Sequence, residues 1–329
     1  MSGNDPPRRP SIAITGALGY SGRYIARRLI DRGQRILTLT GHPGRPNPFG
    51  DSVAIVPFNF EHPAALARSL EGVETLYNTY WIRFSRGPVT YDQAVRNTET
   101  LFAAAKAAGV RRVIHFSIAN PSPDSSLPYY RGKADIESAL VGSGMTYGIL
   151  RPTLLFGGAG PAEDILLNNI AWLLRRFPVF VIPGDGRYRL QPIHVEDAAD
   201  LAVRLGGETG NVIMDAAGPE TFTFEELVRL TARAVGHRTW IVHAPPALAL
   251  TGASLVGLFV GDVILTRDEV KGLMEDLLVS REAPTGPRRL SAWLAENAHL
   301  VGVRYASEVR RHLGPERGAG RRCARLSLR

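Results

Sequence analysis

The stretch Ser11-Ile-Ala-Ile-Thr-Gly-Ala-Leu-Gly-Tyr-Ser-Gly22 joins a short apolar run to three glycines, each separated from the next by two residues. Residues 11–15 are apolar and β-branched, which predicts a strand. From residue 20 to residue 31 apolar side chains recur at helical spacing, and Gly33 ends that pattern. The sequence therefore predicts a strand, a glycine-rich turn and a helix in immediate succession.

In that position each glycine has its own task. The first permits a tight turn, the second lets the backbone approach a pyrophosphate, and the third lets the helix pack closely on the strand. The free N–H groups at the helix start, aided by the helix dipole, then hold a phosphate. We therefore predict a nicotinamide dinucleotide site in this loop. Its residues are Thr15, Gly16, Leu18, Gly19, Tyr20 and Gly22.

Strand-like and helix-like patterns alternate as far as residue 150. Further strands are expected at residues 35–40, 53–58, 73–77, 112–117 and 146–150. Helices are expected at residues 63–70, 90–108 and 130–141. This alternation predicts an α/β fold of Rossmann type, a doubly wound parallel sheet covered on both faces.

The regular alternation ends after Pro152, which divides the chain. We expect the Rossmann domain at residues 11–152 and a smaller, mainly helical substrate region at residues 153–314, with segments returning to the Rossmann core. In that region helices are expected near residues 165–176 and 195–205, and another begins at the capping box of Thr223 and Glu226. Residues 1–10 and the basic tail 315–329 are expected to be disordered.

The net charge of +8 is concentrated at the chain ends, because residues 304–329 alone hold eight arginines and two glutamates. We therefore expect a small-molecule substrate and no nucleic acid. The single cysteine, Cys323, excludes a disulfide framework, no cluster has metal-ligand spacing, and the N-terminus lacks an apolar signal core. These features favour a cytoplasmic protein without a metal. The oligomeric state stays open.

One apolar segment, residues 247–265, raises the question of a membrane. Asp262 interrupts it and glycines recur within it, whereas a spanning helix needs about 20 apolar residues with few charges. We expect a buried or interfacial helix pair, and peripheral membrane contact is not favoured.

The end of the second strand bears on the choice of cofactor. NAD-binding chains usually carry a carboxylate there for the ribose hydroxyls. Here the chain has Thr40, Gly41 and His42, with Arg45 just beyond, and Asp31 precedes the strand. Thr40, His42 and Arg45 suit the 2′-phosphate of NADP, so NADP is preferred over NAD.

A proton-transfer set is predicted near the fifth strand. Tyr129 and Lys133 stand four residues apart on one helix face, and Ser117 ends the preceding strand. An ammonium beside Tyr129 would lower the phenol pKa from about 10 and make an acid/base catalyst, with Ser117 anchoring the substrate oxygen. The chain has 36 arginines and three lysines, so a lysine at this position is informative.

With these residues the chain resembles the extended and atypical short-chain dehydrogenase/reductase superfamily. It is most similar to the branch with the NAD(P)H-binding accessory subunit of respiratory complex I and NmrA-like proteins. The resemblance implies a Rossmann fold, a bound nicotinamide nucleotide, a C-terminal substrate region, Pro152 at the cofactor and a structural His194. It rests on the glycine loop, Asn97, residues 113–117, Tyr129-x-x-x-Lys133, Arg151-Pro152 and residues 191–197.

Two functions follow from this pattern. The first is an oxidoreductase or epimerase acting on a small carbonyl or hydroxyl compound, and the second is a nucleotide-binding sensor or assembly protein without turnover. The enzyme needs open space beside Tyr129, which the sensor would fill with Tyr80, Trp81 or the loop 121–128. The aromatic run Trp81–Phe84 could stack on a planar substrate such as a quinone, but we expect it in the core.

Overall fold

The computed structural model describes residues 10–158, 160 and 163–312. Apart from Pro10, the segments expected to be disordered, residues 1–10 and 315–329, lie outside the described residues.

The N-terminal half alternates strand and helix as the sequence predicts. The helix that carries Tyr129 begins at Pro128, two residues earlier than expected, because proline is favoured in the first turn. The elements are β1 (Ile12–Thr15), α1 (Tyr20–Ile30), β2 (Ile36–Thr40), β3 (Val53–Pro57), α2 (Pro63–Ser69), β4 (Thr75–Asn78), α3 (Tyr91–Ala107), β5 (Arg112–Phe116), α4 (Pro128–Gly142) and β6 (Thr146–Pro152).

The C-terminal half is mainly helical, with short two-stranded sheets. Its helix α7 starts at the predicted capping box, in which Thr223 and Glu226 each accept a backbone N–H of the other. The elements are β7 (Leu154–Phe156), α5 (Leu166–Arg176), β8 (Val179–Pro183), β9 (Arg189–Leu190), β10 (Pro192–His194), α6 (Val195–Gly206), β11 (Val212–Ala216), β12 (Phe222–Thr223), α7 (Phe224–Ala234), β13 (Trp240–Ala244), α8 (Pro246–Val260), α9 (Arg267–Met274), α10 (Leu290–Asn297) and α11 (Glu308–His312).

Within the described residues the main sheet has seven parallel strands in the order β11-β6-β5-β4-β1-β2-β3. The predicted Rossmann fold is therefore confirmed. Side chains alternate between the faces, so that Ile14 packs against α1 and α6 while Ala13 packs against α2, α3 and α4. The strand order reverses between β1 and β4, and this switch point is where a doubly wound sheet binds its ligand.

The apolar segment at residues 247–265 does not form the buried or interfacial helix pair that the sequence predicts, because only one helix forms within it. It forms one helix, α8, in which only Ala249 and Gly257 are buried. Gly261 ends the helix in the left-handed conformation, with φ of +67°, and α9 begins six residues later. No helix among the described residues is both long and apolar enough to cross a membrane.

Candidate functional site

The phosphate loop has the backbone that its glycines require. Gly16 has φ of +69°, a conformation that side chains disfavour. A Cβ on Gly22 would lie 2.2 Å from the Gly16 carbonyl oxygen, and one on Gly19 would lie 3.0 Å from the same atom. The third glycine therefore permits the close contact of α1 with β1, as predicted, and Leu18 is buried beneath the loop.

Hydrogen bonds tie this loop to the switch point. Thr15 Oγ1 accepts from the backbone N–H groups of Thr79 and Tyr80 at 2.7 and 2.9 Å and donates to Asn78 Oδ1 at 3.0 Å. Thr38 Oγ1 accepts from the Ala17 N–H at 2.9 Å. Thr15 thus orders the loop between β1 and β4. No local pattern marks Asn78 or Thr38, because the loop residues that they bond, Thr15 and Ala17, lie more than twenty residues away in the chain.

Tyr20 connects the phosphate loop to the C-terminal half. Its hydroxyl donates to the Gly157 carbonyl at 2.7 Å, and burial raises its pKa well above the ordinary value. The next turn of α1 also contacts the C-terminal half. Arg23 and the Tyr24 hydroxyl donate hydrogen bonds to the Glu163 carboxylate at 3.0 and 2.6 Å. The start of α1 is therefore covered by the segment that follows β7.

Basic groups gather beyond the end of β2. Thr40 Oγ1 accepts from the His42 N–H at 3.0 Å, which shapes the turn. Arg45 donates to the Arg311 carbonyl oxygen, and its pKa is lowered by burial and by the nearby charges of Arg311 and Arg23. Three guanidinium groups therefore lie close together on this side of the nucleotide loop.

A cavity of about 420 Å³ opens beside the phosphate loop, between the two halves of the chain. Ser117, Tyr129, Lys133 and Pro152 all line it, together with Tyr20. The structure therefore brings the predicted proton-transfer residues and part of the predicted cofactor site to one space. Of the groups expected to fill this space in a non-catalytic protein, Trp81 and Leu127 of the loop 121–128 line the cavity, whereas Tyr80 and residues 121–126 do not, and about 420 Å³ stays open between them.

Trp81 packs against the buried core, as expected, and also forms a wall of this cavity. Its ring is partly exposed and meets Tyr129 edge-on, with ring centres 5.7 Å apart. Tyr91 and Tyr130 pack around the same phenol, with ring centres 5.9 and 5.6 Å from that of Tyr129.

Asn97, which contributed to the resemblance, donates to the Tyr80 hydroxyl at 2.9 Å and steadies the loop after β4.

The hydroxyl of Tyr129 is held in its protonated form. Burial raises its pKa, the carboxylates of Glu269 and Glu308 raise it further, and Arg83 lowers it. The expected lowering of this pKa by Lys133 is not found. The lysine ammonium points elsewhere, donating to the Phe116 carbonyl at 2.7 Å.

Lys133 is buried beneath the aromatic wall. Its Nζ lies 4.6 Å from the ring centre of Trp81, and burial lowers its pKa from 10.5 to about 7. Glu137, one turn further along α4, raises that pKa, but its carboxylate is also held by Arg151 at 2.6 Å. Lys133 therefore changes its charge near neutral pH.

Ser117 lines the cavity, and its hydroxyl oxygen is buried in the wall. The residue is buried, and its Oγ has no hydrogen-bond partner among the described residues. Trp81 Nε1 is likewise without a partner in that part of the chain. A buried polar group without a partner is costly, so both groups are suited to bind a polar ligand atom.

Two histidines have structural positions. His194 caps α6 by accepting the Glu196 N–H at 3.2 Å, and its ring packs edge-on against Phe156, which agrees with the predicted structural role. His115 is fully buried in β5, where Asn78 lies 3.1 Å from its Nδ1. Among the described residues no group of three or more His, Cys, Asp or Glu side chains could hold a metal ion.

A Rossmann sheet with a glycine loop at its switch point defines a nucleotide-binding protein of the short-chain dehydrogenase/reductase type. Residues 12–212 match the NAD dependent epimerase/dehydratase family, and the chain belongs to this family. This confirms the superfamily to which the sequence points.

Several known proteins are similar over most of the chain. The mitochondrial 40 kDa subunit of NADH-ubiquinone oxidoreductase from Neurospora crassa is 23% identical, over 84% of this chain and 73% of that protein. Ceramide reductase from Caulobacter vibrioides is 29% identical, over 75% of this chain and 78% of that protein. The NADPH-dependent quinone oxidoreductase of Escherichia coli, complexed with NADPH, superimposes with a TM-score of 0.69 at 23% identity, over 88% of this chain and 98% of that chain.

Proposed function

We propose that the protein is an NADP(H)-dependent reductase that converts a carbonyl compound to the corresponding alcohol. The observation that carries this proposal is the open cavity beside the phosphate loop, which is lined by Ser117, Tyr129 and Lys133 together. A relative that is a reductase and a similar fold that holds NADPH support the same class of reaction.

The cavity residues can serve the reduction of a carbonyl group. A reduced nicotinamide supplies a hydride when it is bound. Ser117 Oγ, which has no partner among the described residues, donates a hydrogen bond to the carbonyl oxygen and orients it. Tyr129, protonated because of burial and the two carboxylates, gives its proton to that oxygen as the alcohol forms.

The remaining predicted residues fit the cofactor. Gly16, Gly19 and the first N–H groups of α1 form the phosphate cradle. Lys133 offers ammonium donors to ribose hydroxyls. For the 2′-phosphate of NADP the supporting feature is the proximity of Arg45 to Arg23 and Arg311. Asp31 follows the C-terminal end of α1, at the opposite end of the strands from this arginine cluster. Its carboxylate is therefore not placed beside the ribose of the cofactor.

A second candidate is a nucleotide-binding protein without turnover. The similarity to the complex I subunit favours it. The volume of about 420 Å³ that stays open beside Tyr129 argues against it, and Trp81 and Leu127 form walls of that space.

The test is oxidation of NADPH by the purified protein with a panel of aldehydes, ketones and quinones. We expect turnover in the wild type, a loss of at least a hundredfold in kcat in Tyr129→Phe, and little change in NADPH affinity. Tyr130→Phe is the matched control, because Tyr130 lines the same cavity from the next position of α4. Binding of NADPH without turnover on the panel would favour the second candidate. Turnover that survives in Tyr129→Phe would refute the proposed acid.

A further inference from the structure

A second depression lies next to the catalytic cavity, between α8 and α9. We call it the α8–α9 groove, and its volume is about 730 Å³. It is lined by Pro246, Ala247, Leu250, Thr251, Ser254, Leu265, Arg267, Val270, Lys271, Met274 and Glu275.

The cavity and the groove meet at Leu265, which lines both. Beyond Leu265, helix α9 separates the cavity from the groove. Its residues 268, 269, 272 and 273 face the cavity, and residues 267, 270, 271 and 274 face the groove. Leu265 therefore lies between the two spaces, near the N-terminal end of α9, and a ligand that occupies both has to pass this side chain.

The wall of the groove that α8 forms has an apolar surface. Helix α8 contains no charged residue. The hydroxyls of Thr251 and Ser254 donate to carbonyls one turn earlier in the same helix, at 2.9 and 2.8 Å. The hydroxyl groups of these two side chains therefore already donate hydrogen bonds within the helix, and they need no acceptor on a ligand.

The charged residues of the groove all lie on α9 or directly after it. Lys271 donates to Ser126 at 2.7 Å and lies 3.8 Å from Glu275. The cavity on the other side of α9 is also lined largely by apolar side chains, including Leu154, Leu166 and Leu273. The apolar parts of both linings suit a hydrocarbon chain, and charged side chains such as Arg83, Asp268 and Glu269 also line the cavity.

We propose that the substrate carries a long unbranched apolar chain, which runs from the catalytic cavity past Leu265 into the α8–α9 groove. This inference rests on the proposed function, since it places the carbonyl head of the substrate at Ser117 and Tyr129. The exposed side of α8 agrees with a lipid-like ligand, because Leu258 and Phe259 are 81% and 86% exposed and offer apolar surface beside the mouth of the groove.

The experiment uses 2-hexanone, 2-nonanone and 2-dodecanone as probes with the full-length protein and saturating NADPH. Affinity is measured by equilibrium dialysis, and kcat/KM is measured by NADPH oxidation. Burial of one methylene strengthens binding by roughly threefold to fourfold, so affinity rises steeply with chain length in the wild type. Leu250→Glu, which puts a charge in the groove but not in the cavity, abolishes the gain for the longest ketone and leaves 2-hexanone unchanged.

Leu255→Glu is the control, because Leu255 lies on the exposed side of the same helix and does not line the groove. It should keep the wild-type dependence on chain length. Affinity that is independent of chain length in the wild type, or an unchanged dependence in Leu250→Glu, overturns the inference. So does a wild-type dimer that Leu250→Glu dissociates in sedimentation, since a second copy then covers the groove. Binding without turnover refutes the proposed function alone.

Discussion

The buried ammonium of Lys133 leads to a prediction about stability and pH. Burial lowers its pKa from 10.5 to about 7. Between those pH values the unfolded chain holds a proton that the folded protein has lost, so the free energy of unfolding rises with pH. Below about pH 7 both states are charged, and the folded state bears the whole cost of burying the ammonium. Above pH 10.5 both states are neutral and the cost is absent.

The substitution Lys133→Met isolates this effect, because methionine has a similar length and no charge at any pH. One pKa unit corresponds to about 1.4 kcal/mol. We therefore expect the stability of the wild type relative to Lys133→Met to increase by up to about 1.4 kcal/mol per pH unit, or roughly 2–3 kcal/mol between pH 7 and pH 9. Other titrating groups are shared by the two proteins and largely cancel in the difference.

Urea denaturation followed by circular dichroism at pH 7, 8 and 9 measures both free energies of unfolding. The m-values should agree, so that the comparison reports stability alone. A difference that stays constant across this range would refute the reasoning. It would mean that the Phe116 carbonyl, the Trp81 ring and Glu137 compensate the burial of the charge completely.

Two further predictions concern the nucleotide loop and the end of β2. Gly22→Ala should destabilise the protein by more than about 3 kcal/mol, because its Cβ would lie 2.2 Å from the Gly16 carbonyl oxygen; thermal denaturation measures this. Gly252→Ala in α8 is the control, has open space, and should stabilise slightly. Arg45→Ala should weaken NADPH binding by more than tenfold, and NADH binding far less, in calorimetry. Gly41→Asp has room for its Cβ and should shift the preference toward NADH. Equal losses for both cofactors would contradict the assignment of Arg45 to the 2′-phosphate.

Local patterns were enough to predict the Rossmann half of the chain. The glycines at 16, 19 and 22 specify a turn that few other residues can adopt, and the strand and helix periods around them are set by neighbouring residues. The capping box at Thr223 is equally local and was found for the same reason. The sequence also placed Tyr129 and Lys133 on one helix face, since residues four apart in a helix must lie there.

Properties that depend on distant parts of the chain needed the tertiary structure. The sequence predicted that Lys133 would activate Tyr129, whereas the pKa of Tyr129 is set by burial and by Glu269, Glu308 and Arg83 from other segments, and that of Lys133 by burial and by Glu137. Trp81 packs against the core, as its size predicts, but only the tertiary structure shows that it also lines a cavity, with α9 among the other walls.

The apolar composition of α8 likewise predicted burial, and composition alone cannot show whether a partner element covers a helix. Backbone conformation and helix periodicity are decided within a few residues, so the sequence by itself determined the nucleotide-binding fold. Burial, cavities and electrostatic fields arise between segments far apart in the chain, so only the tertiary structure decided the shape and the protonation of the candidate site.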